Sequence, residues 1–156
     1  MDISIRQDDG RSAGVGALVA THLQDGASHS PPESMHALGV AALRAPEITF
    51  WTAWNGSLLL GCGALKQLSE RHGEIKSMHT AQRFRGQGVG TRVLTHLMEV
   101  ARCRGYARLS LETGSMSAFD AARALYARFG FESCGPFAAY REDPYSVFMT
   151  LELSRD

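Results

Sequence analysis

This sequence of 156 residues carries no net charge, because sixteen lysines and arginines meet sixteen aspartates and glutamates. An extended nucleic-acid footprint or a hold on an anionic membrane needs a basic face, so the balance argues against both. Long apolar runs are missing too, and nothing approaches the roughly 18 residues needed to cross a bilayer. The opening Met1-Asp2-Ile3-Ser4-Ile5-Arg6 lacks the charged-then-apolar order of an export signal. Cysteines are few: Cys62, Cys103 and Cys134 are odd in number and not in metal-ligand spacing. That pattern predicts free thiols in a reducing cytoplasm rather than a disulfide framework. His22, His29 and His36 fall close together but form no H-E-x-x-H, so no metal site is expected. Gly-Lys-Ser and Gly-Lys-Thr do not occur, which excludes a P-loop. Repeats, low-complexity tracts and linkers are absent, and the length suits one domain over residues 1–156.

What is present is a regular alternation of elements. Ile3 and Ile5 mark a short strand. Gly10–Gln24 reads as a first helix, with Val15, Leu18, Val19 and Leu23 on one side. Ser30-Pro31-Pro32-Glu33 has the form of a helix start, predicting a second helix with Met35, Leu38 and Leu43 that stops before Pro46. Strands at 48–54 and 57–65 flank Asn55-Gly56, a hairpin turn. A third strand covers Glu74–Ala81. Val89, Val93, Leu94, Leu97 and Ala101 then form a helical stripe that Gly105 ends. A strand at 107–113, a helix from Ser117 to about Arg128 and strands at 131–134 and 146–152 complete the chain. The order β-α-α-β-β-β-α-β-α-β-β predicts an α/β fold with a mixed sheet flanked by helices.

The most informative stretch is Arg85-Gly86-Gln87-Gly88-Val89-Gly90, between a strand and a helix. Glycines at alternate positions let the backbone approach a ligand closely. The amides of such a loop at a helix N-terminus form a donor site for phosphate, and Arg85 adds a fixed positive charge. The spacing is too tight for the dinucleotide fingerprint.

This run resembles the R/Q-x-x-G-x-G/A acetyl-CoA motif of the GNAT superfamily of N-acetyltransferases. Ala122-x-x-Leu125-Tyr126-x-x-Phe129-Gly130-Phe131 is similar to a second block of that family, N-x-x-A-x-x-L-Y-x-x-x-G-F. The resemblance runs from about Phe50 to Leu153. It implies a central twisted sheet splayed between two middle strands, and acetyl-CoA as co-substrate without a metal. It further implies that Arg85, Gly86, Gln87, Gly88, Val89, Gly90 and Thr91 hold the cofactor, with Met78 and Thr80 lending backbone groups to its pantetheine arm. Phe119 and Ala122, at the second block, are counted with them as cofactor-binding residues. Phe119 stands where the family often has Asn, which puts one polar contact in doubt and leaves Ser115 or Ser117 to replace it.

Catalytic roles follow from the resemblance and from acid–base chemistry. Tyr126 occupies the family's tyrosine position, suited to protonating the departing thiolate; the competing reading is an ordinary helix-face aromatic. An alkylammonium has a pKa of about 10.4, so a base or a water relay is required. A glutamate at the place of Glu74 serves as base in some members of the family; the competing reading is an exposed strand-end carboxylate paired with Lys76. Glu112 is the substitute. By simple alternation Glu74, Met78 and Thr80 share one strand face and His79 points the other way. Met35, Glu112, Tyr140, Arg141 and Asp143 are the candidate acceptor contacts. The expected activity is acetyl transfer to a primary amine of a small molecule, such as an amino acid, in the cytoplasm. A protein N-terminus or lysine as acceptor, and a non-catalytic CoA-binding sensor, are the rival readings; a homodimer stays open.

Overall fold

The computed structural model describes residues 1–153 and contains one seven-stranded mixed sheet. Its strands are β1 (Ser4–Asp8), β2 (Ile48–Asn55), β3 (Leu58–Ser69), β4 (His72–Thr80), β5 (Arg108–Gly114), β6 (Glu132–Cys134) and β7 (Ser146–Glu152). They lie in the order β1-β2-β3-β4-β5-β7-β6. All neighbours are antiparallel except β4 and β5, which are parallel. Helices α1 (Val15–His29), α2 (Val89–Cys103) and α3 (Asp120–Arg128) cover the two faces. The chain crosses from β4 to β5 through α2, as a parallel pair requires.

Two apolar clusters lie on the two sides of the sheet. One joins Leu65, Ile75, Leu109 and Leu111 to the stripe Val89, Val93, Leu94, Leu97 and Ala101 of α2 and to Tyr126 of α3. The other joins Phe50, Trp54, Cys62 and Ala64 to Val15, Leu18 and Val19 of α1. Each fully buried leucine or valine contributes roughly 1.5–3 kcal/mol. The middle of the sheet is therefore anchored from both faces.

Four expectations at the local level need correction. The first helix starts at Val15 and runs to His29, five residues beyond the expected end. Gly10 and Gly14 both take left-handed torsions, and Asp8 accepts the Gly10 amide, so the segment before Val15 is a turn. The second helix does not form. Ser30 and Pro31 are extended, no side chain caps them, and only two short 3-10 turns follow, Pro32–Ser34 and Ala42–Arg44. Ser34, inside the expected first turn, spends its hydroxyl on Asp143 instead. Ser117 opens a 3-10 turn, Ser117–Phe119, rather than capping α3.

The fourth correction shapes the site. The β3–β4 register shifts between Cys62↔His79 and Ala64↔Lys76, so two residues of β4 oppose one of β3. Ser77 sits there with φ 56°, a torsion that costs a non-glycine residue about 1–2 kcal/mol. Its carbonyl accepts the Cys62 thiol at 3.2 Å. The bulge resets the alternation: Ile75 and Met78 pack on the α2 side, while Glu74, Lys76 and His79 turn to the other face. Glu74, Met78 and Thr80 therefore do not share a face, and His79 stands on the side of Glu74.

Candidate active site

The ladder between β4 and β5 ends at Ile75↔Leu111, although β4 continues to Thr80 and β5 to Gly114. Beyond that point the strands diverge and leave a wedge, the splay that the family resemblance implies. The bulge lies just past the last pair, where it bends β4.

At one end of the wedge is the glycine loop. Gly86 and Gly88 have φ of 76° and 87°, and no atom lies within 4 Å of where a β-carbon would stand on either. Gly88 is the N-cap of α2, and no side chain caps that helix. The first amides of α2 thus have no intrahelical partner and face open space, an arrangement suited to phosphate oxygens. Gly90 is packed close, with Leu125 and Thr80 beside it. Arg85 Nε donates to the Thr80 carbonyl at 3.1 Å, and its guanidinium pairs with Asp25 of α1 at 3.3 Å. Gln87 donates to the Arg83 carbonyl. Both side chains expected to assist phosphate therefore start from bonds within the chain.

On the α2 side of the wedge stands Tyr126, buried in the core edge-on to Phe131. Burial, and then the Glu112 charge, push its pKa well above the ordinary phenol value, so it is protonated at neutral pH. Phe119 fills the space over Gly114 and meets His29 edge-on; Ala122 packs against the same core. Ser115 is committed to the Pro144 carbonyl at 2.6 Å.

The other face holds a polar chamber. Glu74 is 2% exposed and lies inside β4, so it is not the exposed strand-end carboxylate of the competing reading. Its Oε2 accepts Lys76 Nζ at 3.2 Å and the Tyr140 hydroxyl. Lys76 also donates to Tyr140 at 3.0 Å. Across the wedge, Glu112 accepts from Ser146 at 2.8 Å, and burial raises its pKa. Asp143 accepts Ser34 at 2.5 Å and the Tyr145 amide at 2.8 Å, which together hold its pKa below the usual carboxylate value. Tyr140 and Asp143, read from sequence as acceptor contacts, thus have their polar atoms engaged within the protein. Met35 is half-buried beside Gly26 of α1, and Arg141 is exposed on the loop.

Several groups escaped the sequence reading. Lys76 figured there only as a partner of an exposed pair, yet it is half-buried against the buried Glu74. His36 stands edge-on to Tyr140, with ring centroids 4.8 Å apart. His22 of α1 meets His79 of β4, Nδ1 to Nδ1 at 3.1 Å. Burial pushes both pKa values down, that of His79 to about 4. The three N-terminal histidines therefore part company, to His79, Phe119 and Tyr140. The described residues contain no group of three or more potential metal ligands, and no helix among them is long and apolar enough to cross a membrane.

An α/β sheet split between two parallel strands, with a glycine cradle at the opening and a carboxylate-lined chamber behind it, defines a class of acyl-transfer protein. The chain belongs to the GNAT family of acyl-CoA-dependent N-acetyltransferases: the model of the acetyltransferase (GNAT) family matches residues 13–131. It is 58% identical to the uncharacterized N-acetyltransferase YsnE of Bacillus subtilis, covering 96% of this chain and 99% of that protein. It is 49% identical to the uncharacterized N-acetyltransferase YedL of Escherichia coli, over 96% and 94% of the two chains. Among solved structures, one assigned as an acyl-CoA N-acyltransferase from Klebsiella pneumoniae superposes with TM-score 0.79 at 30% identity, covering 97% and 98%. A GNAT acetyltransferase from Elizabethkingia anophelis, solved with acetyl-CoA bound, shares the fold at TM-score 0.71 and 19% identity, over 97% and 98%.

Proposed function

We propose that this enzyme moves an acetyl group from acetyl-CoA to the primary amine of a small molecule such as an amino acid or related metabolite. The observation that carries the reading is the wedge, which has the cradle at its mouth and Glu74 on its opposite face. The open space beside Gly86 and Gly88 fits a phosphate-bearing ligand, so Arg85 through Thr91 are the residues that would hold the diphosphate. Met78 and Thr80 would hold the pantetheine arm through their backbones. Acetyl-CoA, when bound, supplies an activated acyl thioester.

The chain's own groups then do three things. Glu74 takes the proton that the acceptor ammonium must lose, through its Oε1, which has no hydrogen-bond partner among the described residues. The Met78 amide faces the charge that develops on the carbonyl oxygen. Tyr126, kept protonated by its burial, supplies a proton to the departing sulfur. The small-molecule reading is favoured by the chamber itself, whose half-buried polar groups converge on the buried Glu74 between β4, β5 and the loop at 136–145.

Incubation with acetyl-CoA and an amine library, followed by mass spectrometry, tests the acceptor class. Acetylated amino acids or small amines are expected; products confined to added proteins transfer the acceptor to polypeptides, and binding without any product leaves a sensor. Glu74→Gln keeps the shape and removes proton acceptance. It is expected to lower kcat by about 10²–10⁴. An unchanged pH–rate profile moves the role to Glu112 or water.

A further inference from the structure

The hydroxyl of Tyr140 closes a triangle with Glu74 and Lys76. Its pKa is raised strongly, by burial first and then by the Glu74 charge, so the phenol is the donor to Glu74. Lys76 has no lone pair to offer and donates to both of the others. Every bond in the triangle therefore has a fixed direction, and both bonds to Glu74 converge on Oε2.

We infer that Tyr140 is a positioning residue for the reaction: its hydroxyl fixes the plane of the Glu74 carboxylate and turns Oε1 toward the acceptor. The inference rests on the reading of Glu74 as the proton acceptor. Lys76 alone does not supply the same constraint. Its ammonium is a point charge on a flexible four-carbon stem, and it can follow a rotating carboxylate. The phenol is held on a rigid support. Its ring meets His36 at 4.8 Å, Phe137 at 5.0 Å and Phe148 at 5.4 Å between centroids, each edge-on or tilted. Its amide donates to the Phe137 carbonyl at 3.0 Å. The loop that carries it is tied at its far end by Asp143 to Ser34 and by Pro144 to Ser115. Glu74, on a strand bent by the bulge two residues after Ile75, thus receives its orientation from a segment more than sixty residues away, |i−j| being 66.

A double-mutant cycle with an infrared readout tests this. Tyr140→Phe keeps the ring and its aromatic contacts and removes only the hydroxyl. CoA release from acetyl-CoA is followed with a pool of the common amino acids as acceptor. Tyr140→Phe is expected to lower kcat about 10-fold with acetyl-CoA affinity unchanged, and to have no further effect in a Glu74→Gln background. Independently of turnover, the carboxylate stretch isolated by subtracting the Glu74→Gln spectrum shifts when Tyr140 becomes Phe. Equal losses in both backgrounds, or an unshifted stretch, overturn the inference and leave Glu74 as base. Full activity of Glu74→Gln overturns the Glu74 reading and this inference with it. If Tyr140→Phe fails to fold, Tyr140→Trp, which also lacks the phenol but fills the aromatic site, is put through the same cycle with the same outcomes.

Discussion

The cradle and the chamber are built on opposite plans. The cradle is a contiguous hexapeptide whose proposed role rests on backbone amides and on the torsions of Gly86 and Gly88; it is open, and no side chain caps the helix it begins. The chamber is assembled from side chains of β4, β5, β7 and two distant loops, it is half-buried around a buried Glu74, and its polar atoms mostly satisfy one another. A site of the first kind depends on local conformation. A site of the second kind depends on the whole fold being right.

Three experiments press on that difference. The largest effect is expected at Gly88→Asp. The substitution forces a side chain into a left-handed torsion at φ 87° and adds a negative charge at the N-terminus of α2. Acetyl-CoA affinity measured by calorimetry should fall by about 100-fold or more while circular dichroism stays native. Unchanged affinity would remove the cradle from cofactor binding. A smaller effect is expected at Tyr126→Phe, which tests whether a buried side chain on the α2 face participates in chemistry. A kcat loss of about 10–100-fold, with acetyl-CoA affinity and melting temperature near wild type, makes it the proton donor. Lost stability with full kcat makes it a core aromatic.

The smallest effect concerns the joint between the two regions. His79 is held neutral by burial, with its pKa lowered to about 4 from about 6.5. The unfolded chain binds the proton first, so this stability is complete above about pH 6.5 and is lost as pH falls toward 4. His22 acts in the same direction. Unfolding free energies from denaturant titrations at pH 7 and pH 5 should differ by about 1–2 kcal/mol, and His79→Asn should flatten the slope. An equal slope in the variant would assign the pH dependence to other groups.

The same contrast explains what could be read from the sequence. The glycine loop and the α2 stripe are local patterns, and each stands where its spacing put it; the hairpin forms too, but its turn falls one residue later, at Gly56-Ser57, with Asn55 paired to Leu58. The second helix failed because Ser30 and two prolines satisfy a capping rule without a following segment that gains from helical packing; Leu43 is buried from a 3-10 turn instead. The direction of Glu74 relative to Met78 was illegible because nothing in Ser77 favours a left-handed torsion. Only the pairing of β4 with β3 imposes it. Tyr140 could be singled out as a site residue, but its partners lie in strand β4, and no spacing rule connects them.

The torsion at Ser77 carries one more implication. Sheets are ordinarily most stable when every rung is paired, yet here the central strand holds an unfavourable residue conformation where its pairing with β5 lapses. A chain selected for stability alone would straighten this point and let β4 and β5 continue their ladder toward Thr80 and Gly114. The wedge would then close. Stability worth about 1–2 kcal/mol is forgone at one residue to keep a gap in the middle of the fold. Thermostabilised descendants obtained without a demand for activity should accumulate their changes here first, and would trade catalysis for melting temperature in doing so.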